Sequence, residues 1–76
     1  MSKSETFSIN KRISQLLATE RKKTALTQAE VAAKIRKPQS FVSKYENGQR
    51  QLTIADLTLI CKAIGLKPSK FLKLLD

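Results

Sequence analysis

The sequence predicts an all-α protein, a compact bundle of five helices, and three observations carry that prediction. Apolar residues recur at the i, i+3, i+4 spacing of a helix face instead of alternating as they do in a strand. Thr27 with Glu30, and Thr53 with Asp56, have the spacing at which two side chains in a first helical turn cap each other's free backbone amides. Finally, Gly48 and Gly65 follow such segments, where a left-handed cap belongs, and Pro38 and Pro68 stand where a helix can start.

Taken in order, residues 1–7 are polar, lack periodicity and read as a flexible arm, followed by one domain over residues 8–76. Ser8 is the expected cap of a first helix that runs to Lys23, with Ile9, Ile13, Leu16 and Leu17 along its inner stripe. Arg21, Lys22 and Lys23 close it with positive charge, which the helix dipole favours. The second helix is expected over Gln28 to Ile35, with Val31, Ala32 and Ile35 inward and Glu30, Ala33 and Lys34 outward. Only Arg36 and Lys37 separate it from a third helix, Pro38 to Asn47, that stops at Gly48. After the connector Gln49 to Leu52, a fourth helix capped by Thr53 turns Ile54, Leu57, Ile60, Cys61 and Ile64 inward and ends at Gly65. The last helix starts near Pro68 and bears Phe71, Leu72, Leu74 and Leu75, more apolar surface than a short terminal helix readily hides. Phe71, Leu72 and Leu75 are therefore a candidate homodimer contact; closure of the core by the same residues is an equal alternative.

Two short helices joined by so tight a turn must cross at a steep angle, which is helix-turn-helix geometry. Ala32 supplies the small side chain that a close crossing needs, and Val42 and Tyr45 form the apolar underside of the third helix. Its outer face is then Gln39, Ser40, Ser43, Lys44 and Asn47.

Charge points the same way. Fifteen Lys and Arg against six Asp and Glu give a net charge of +9, which calls for a polyanionic partner or a membrane surface. Five of those basic residues (Lys34, Arg36, Lys37, Lys44 and Arg50) lie between positions 34 and 50 against the single acid Glu46, so the helix-turn-helix bears much of the excess. Membrane attachment would need a basic amphipathic helix with large exposed apolar residues or a lipidation signal, and the sequence has neither. It also has no apolar run of signal-peptide or membrane-span length, so a cytoplasmic location is expected. With no histidine, a zinc site and a His-based general base are excluded; the two glycines make no phosphate loop. The lone Cys61, in step with an inward stripe, reads as a buried structural thiol. Neither an enzyme nor a cofactor, metal or small-molecule ligand is expected.

The segment LTQAEVA, from Leu26, and the Gln-Ser-x-Val-Ser-x-Tyr-Glu-x-Gly run from Gln39 to Gly48 resemble the Cro/repressor-type (XRE) helix-turn-helix of phage repressors and small bacterial regulators. With its flanking helices, the resemblance spans roughly residues 8–75. It implies a lambda-repressor-like fold and a double-stranded DNA partner. An α-helix fits the major groove, and the resemblance implies that the third helix enters it. Gln39 can pair with adenine N6 and N7, Lys44 can donate to guanine O6 and N7, and Ser40 and Ser43 can bond either kind of base. Thr27, Gln28, Lys37, Asn47 and Arg50, on the rim of the motif, are the candidate phosphate contacts. Phe41 either meets a thymine methyl or covers the edge of the core, the core reading ranking first. Lys3 could reach along DNA from the arm, though disorder without a role ranks above it.

The resemblance implies two further things. An arginine seven positions before the motif's first glutamine, here Arg21 before Gln28, is expected to pair with Glu46 and tie the first helix to the third. The turn position held by Arg36 commonly bears glycine in such proteins, so either the turn is reshaped or a left-handed arginine is accepted. One recognition helix spans too few base pairs for a genome-scale choice, which implies a dimer on a pseudopalindrome. The leading reading is a transcriptional regulator: a phage or mobile-element repressor, or a restriction-modification controller. A DNA-binding antitoxin ranks second, and a protein-interaction or RNA-binding module third. Exposure of Tyr45 is the observation that would favour the last.

Overall fold

A computed structural model describes residues 3–76 and contains the helices α1 (Lys3–Lys23), α2 (Gln28–Lys34), α3 (Gln39–Glu46), α4 (Ile54–Ala63) and α5 (Pro68–Leu75). No strand is present among the described residues. Helix α1 has 21 residues, about 32 Å at 1.5 Å per residue, and so accounts for most of the molecule's 35 Å long dimension. The shorter helices pack around it: α3 and α5 lie on α1, α2 lies on α3, and α4 lies on both α2 and α5.

The first helix begins at Lys3, not at a Ser8 cap. Ser8 is an exposed residue in its second turn, and Glu5 places a carboxylate in the first turn, where the dipole favours it. Of the expected arm, Met1, Ser2 and the side chains of Lys3 and Ser4 lie outside the described residues. The inner stripe also starts later than expected. Ile13 and Leu16 pack on the core and Leu17 is fully buried, whereas Ile9 is exposed at the edge of a groove between α1 and α5.

Both reciprocal capping pairs form. Thr27 Oγ1 accepts from Glu30 N at 3.1 Å while Thr27 N donates to Glu30 Oε1 at 2.9 Å. Thr53 and Asp56 repeat the arrangement at 3.0 and 3.4 Å. Helix α2 then ends in a Schellman turn, with Arg36 N donating to Ala33 O and Lys37 N to Ala32 O. Arg36 takes φ 57°, so the left-handed arginine is accepted and the turn is not reshaped. Gly48 (φ 76°) and Gly65 (φ 74°) close α3 and α4 in the same way, and a left-handed Ala25 (φ 61°) follows α1. Helix α3 is one residue shorter at each end than expected. Pro38, extended at ψ 154°, is its N-cap, and Asn47 is its C-cap.

The core gathers Leu17, Val31, Ala32, Phe41, Val42, Tyr45, Ile60, Cys61, Ile64 and Phe71. Every helix contributes to it. Ile54, expected inward, is instead 83 % exposed, because it stands on the first turn of α4, beyond the cover of neighbouring helices. Phe71 is fully buried, which removes it from the expected dimer contact and assigns it to the core; Leu72 is exposed and Leu75 half-buried.

Candidate nucleic-acid interface

The geometry of α3 follows from which residues it buries. Phe41, Val42 and Tyr45 turn their side chains into the core, the Phe41 and Tyr45 rings meeting edge-to-face at 5.7 Å and 75°. Burial pushes the Tyr45 phenol pKa up, with the nearby Glu46 carboxylate adding to the effect. With this underside fixed, Gln39, Ser40 and Lys44 are exposed and Ser43 is half-exposed on the opposite face. The sequence reading therefore selects residues that the fold presents together. Burial of both rings removes the exposed aromatic platform that unpaired bases would stack on.

Beneath this face, α3 is held by one carboxylate. Arg21 Nε donates to Glu46 Oε2 at 2.7 Å and Arg21 Nη2 to Glu46 Oε1 at 3.0 Å, a bidentate pair whose side chains are only 11 % and 5 % exposed. The expected Arg21–Glu46 link is thus present. Its hydrogen bond to Glu46 also raises the Arg21 pKa above its already high ordinary value. Two partners were not foreseen: Arg21 Nη1 donates to Leu26 O at 2.8 Å, and Gln28 Nε2 donates to Glu46 Oε1 at 2.9 Å. The four groups satisfy one another, and among the described residues no buried side-chain polar atom lacks a partner.

This network changes what Gln28 can do. One of its two side-chain amide hydrogens is committed to Glu46, which leaves a single side-chain N–H for any phosphate, beside the backbone N–H at the start of α2. Thr27 is exposed and its hydroxyl oxygen accepts from Glu30 N to cap α2, so its O–H can still donate outward. Asn47 is exposed at the C-terminal end of α3. Lys37 and Arg50, from the turns on either side of α3, both lie over the Phe41 ring, with Lys37 Nζ 5.5 Å and Arg50 Cζ 4.7 Å from its centroid. The core reading of Phe41 holds, since it is 7 % exposed, but its ring also bears two cations that no local sequence spacing signals.

Residues 17–71 match the family model described as helix-turn-helix. The structure resembles an XRE-family-like protein from Pseudomonas syringae pv. tomato str. DC3000, with 36 % sequence identity and a TM-score of 0.91, covering 96 % of this chain and 89 % of that one. The chain belongs to the XRE-type helix-turn-helix family. It is a DNA-binding transcriptional regulator.

Other relatives agree with this assignment. The restriction-modification controller protein C.Esp1396I, as a tetramer in complex with its natural 35-base-pair operator, is 27 % identical with a TM-score of 0.83 and 88 % coverage of both chains. At 21 % identity the clp gene regulator ClgR from C. glutamicum shares the fold, with a TM-score of 0.82, covering 88 % of this regulator and 86 % of that chain. No curated protein sequence matches the chain significantly. Among the described residues of this regulator there is no group of side chains that could hold a metal ion, and no helix is long and apolar enough to cross a membrane.

Proposed function

We propose that the regulator inserts α3 into the major groove and reads base edges with Gln39, Ser40, Ser43 and Lys44. The observation that carries this reading is the division of α3 into a buried apolar underside and an outward polar face, on a helix whose orientation is held by Arg21 and Glu46. Thr27, Gln28 through its remaining N–H, Lys37, Asn47 and Arg50 surround that face and supply the backbone contacts. The chain acts in the cytoplasm on nucleoid DNA as an occupancy device and catalyses nothing. A symmetric dimer on a pseudopalindrome, with half-sites about 34 Å apart, completes the site size. Its contact is the α1–α5 edge, where Ile9, Leu72 and Leu75 line one open groove of about 490 Å³.

The experiment is enrichment of binding sites from random duplexes of about 30 base pairs at about 150 mM salt, where phosphate contacts alone bind weakly. A two-fold symmetric consensus is expected. On that site, Lys44→Ala shifts the preference at one position by about 1–3 kcal/mol, whereas Arg50→Ala weakens all sequences alike. A uniform loss from Lys44→Ala removes that residue from the reading set, and a pool that never enriches rejects sequence-specific recognition.

A further inference from the structure

The feature left unexplained by base reading is the pair of cations on Phe41. Lys37 belongs to the turn before α3 and Arg50 to the connector after it, yet both come within 6 Å of one ring centroid. Bringing two like charges together on a protein of net charge +9 is unfavourable by itself. Neither cation takes part in the ion pairs Arg21–Glu46 and Lys23–Glu20. The attraction on hand is the negative face of the ring, and the ring is itself immobilised by burial and by its edge-to-face contact with Tyr45.

We propose that Phe41 is a positioning residue for DNA binding: its ring holds the Lys37 and Arg50 head groups in place before DNA arrives, as a ready-made clamp for the phosphate backbone beside α3. The proposal rests on the reading of α3 and its flanking turns as the DNA-facing surface. A long cationic side chain free in solvent loses rotamer freedom when it grips a phosphate. Stacked on a fixed ring, Lys37 and Arg50 lose part of that freedom on folding, so less is lost on binding. A phosphate met by either head group also offsets the unfavourable gathering of positive charge around the ring.

The test uses the full chain. Binding to an arbitrary duplex of about 30 base pairs at low salt is followed by fluorescence anisotropy for Phe41→Leu, Phe41→Tyr, the Lys37→Ala/Arg50→Ala pair and the triple variant, each checked as folded by its melt. Phe41→Leu keeps an apolar side chain and removes the ring; Phe41→Tyr keeps the ring. The expected result is a two- to five-fold loss from Phe41→Leu, roughly the size of an exposed cation–ring contact, little loss from Phe41→Tyr, and no further loss from Phe41→Leu once both cations are gone. In the free protein, the Arg50 side-chain protons show ring-current shifts that Phe41→Leu abolishes and Phe41→Tyr retains. If Phe41→Leu costs the same factor with and without the two cations, the ring acts by packing alone and the proposal is overturned. Absence of the ring-current shifts overturns it as well, whatever the binding data show. A wild-type chain that binds no duplex defeats the DNA-facing reading and this proposal together, whereas additive losses on a chain that does bind defeat this proposal only.

Discussion

Helices α2 and α3 on one side, and α4 and α5 on the other, are built to nearly the same local plan. Each pair starts from a Thr whose hydroxyl and backbone amide are exchanged with an acid three residues on, and each first helix ends in a Schellman turn. A proline then stands at the start of the second helix in both. The pairs part at two places. The left-handed residue is Arg36 in the first and Gly65 in the second, and the second helix turns a polar face outward in the first pair but leaves Leu72 and Leu74 exposed in the other. One local code makes both corners, and the outward residues give them different surfaces, polar on α3 and apolar on α5. What lies beneath also differs, since α3 is anchored through the Glu46 carboxylate and α5 through the buried Phe71 ring.

The difference in anchoring predicts the largest effect. Arg21→Ala strands a carboxylate that is almost fully buried, but Gln28 still donates to it, so the cost is expected near the lower end of the usual range, about 3 kcal/mol. For a domain of this size that lowers the melting temperature by more than about 10 °C, and a shift of only a degree or so would show that the pair contributes nothing.

Exchanging the two left-handed residues gives a smaller effect of opposite sign in the two corners. Arg36→Gly relieves backbone strain and, after the added freedom of the unfolded chain, stabilises by about 0.5–1 kcal/mol. Gly65→Ala is expected to cost about 1 kcal/mol purely through its backbone conformation, because a Cβ there meets nothing within 4 Å. Chemical denaturation of both variants checks the pair, and a loss of stability from Arg36→Gly would mean that the arginine side chain contributes more than its strain costs.

The capping pairs give the smallest effect. Glu30 has its pKa lowered, first by the Thr27 backbone amide and then by the Thr27 hydroxyl. The stability tied to this interaction is present above the ordinary glutamate range and lost as pH falls through the lowered folded value. Melting curves from about pH 6 down to about pH 3 should therefore fall less steeply in Glu30→Gln than in the parent, and identical profiles would remove Glu30 from the acid response.

How much of this was legible in the sequence depended on the reach of the interaction. Thr27 with Glu30 and Thr53 with Asp56 act across a single turn, so spacing alone located the starts of α2 and α4. Arg21 with Glu46 spans 25 residues and was accessible only through family resemblance, whereas Gln28, drawn to the same carboxylate, was read only as a phosphate contact. Ala25 adopts φ 61° with nothing in its side chain to announce it, unlike a glycine. Ile9 and Ile54 keep the inward period of their helices but stand where no neighbour covers them, which periodicity cannot register. The exposed face of α3 was legible because its complement, Val42 and Tyr45, has to be buried.

The convergence on Glu46 has a consequence for how the regulator recognises its site. Arg21 reaches it from α1, Gln28 from α2, and the carboxylate itself stands on the last turn of α3. Any rocking of α3 relative to its neighbours would separate charged groups that have little water to replace their partners. The recognition helix is therefore a stiff probe. If α3 reads base edges as proposed, a mismatched base is not accommodated by re-aiming the helix, and discrimination between sites falls on the few side chains at its surface and on how readily the DNA itself deforms.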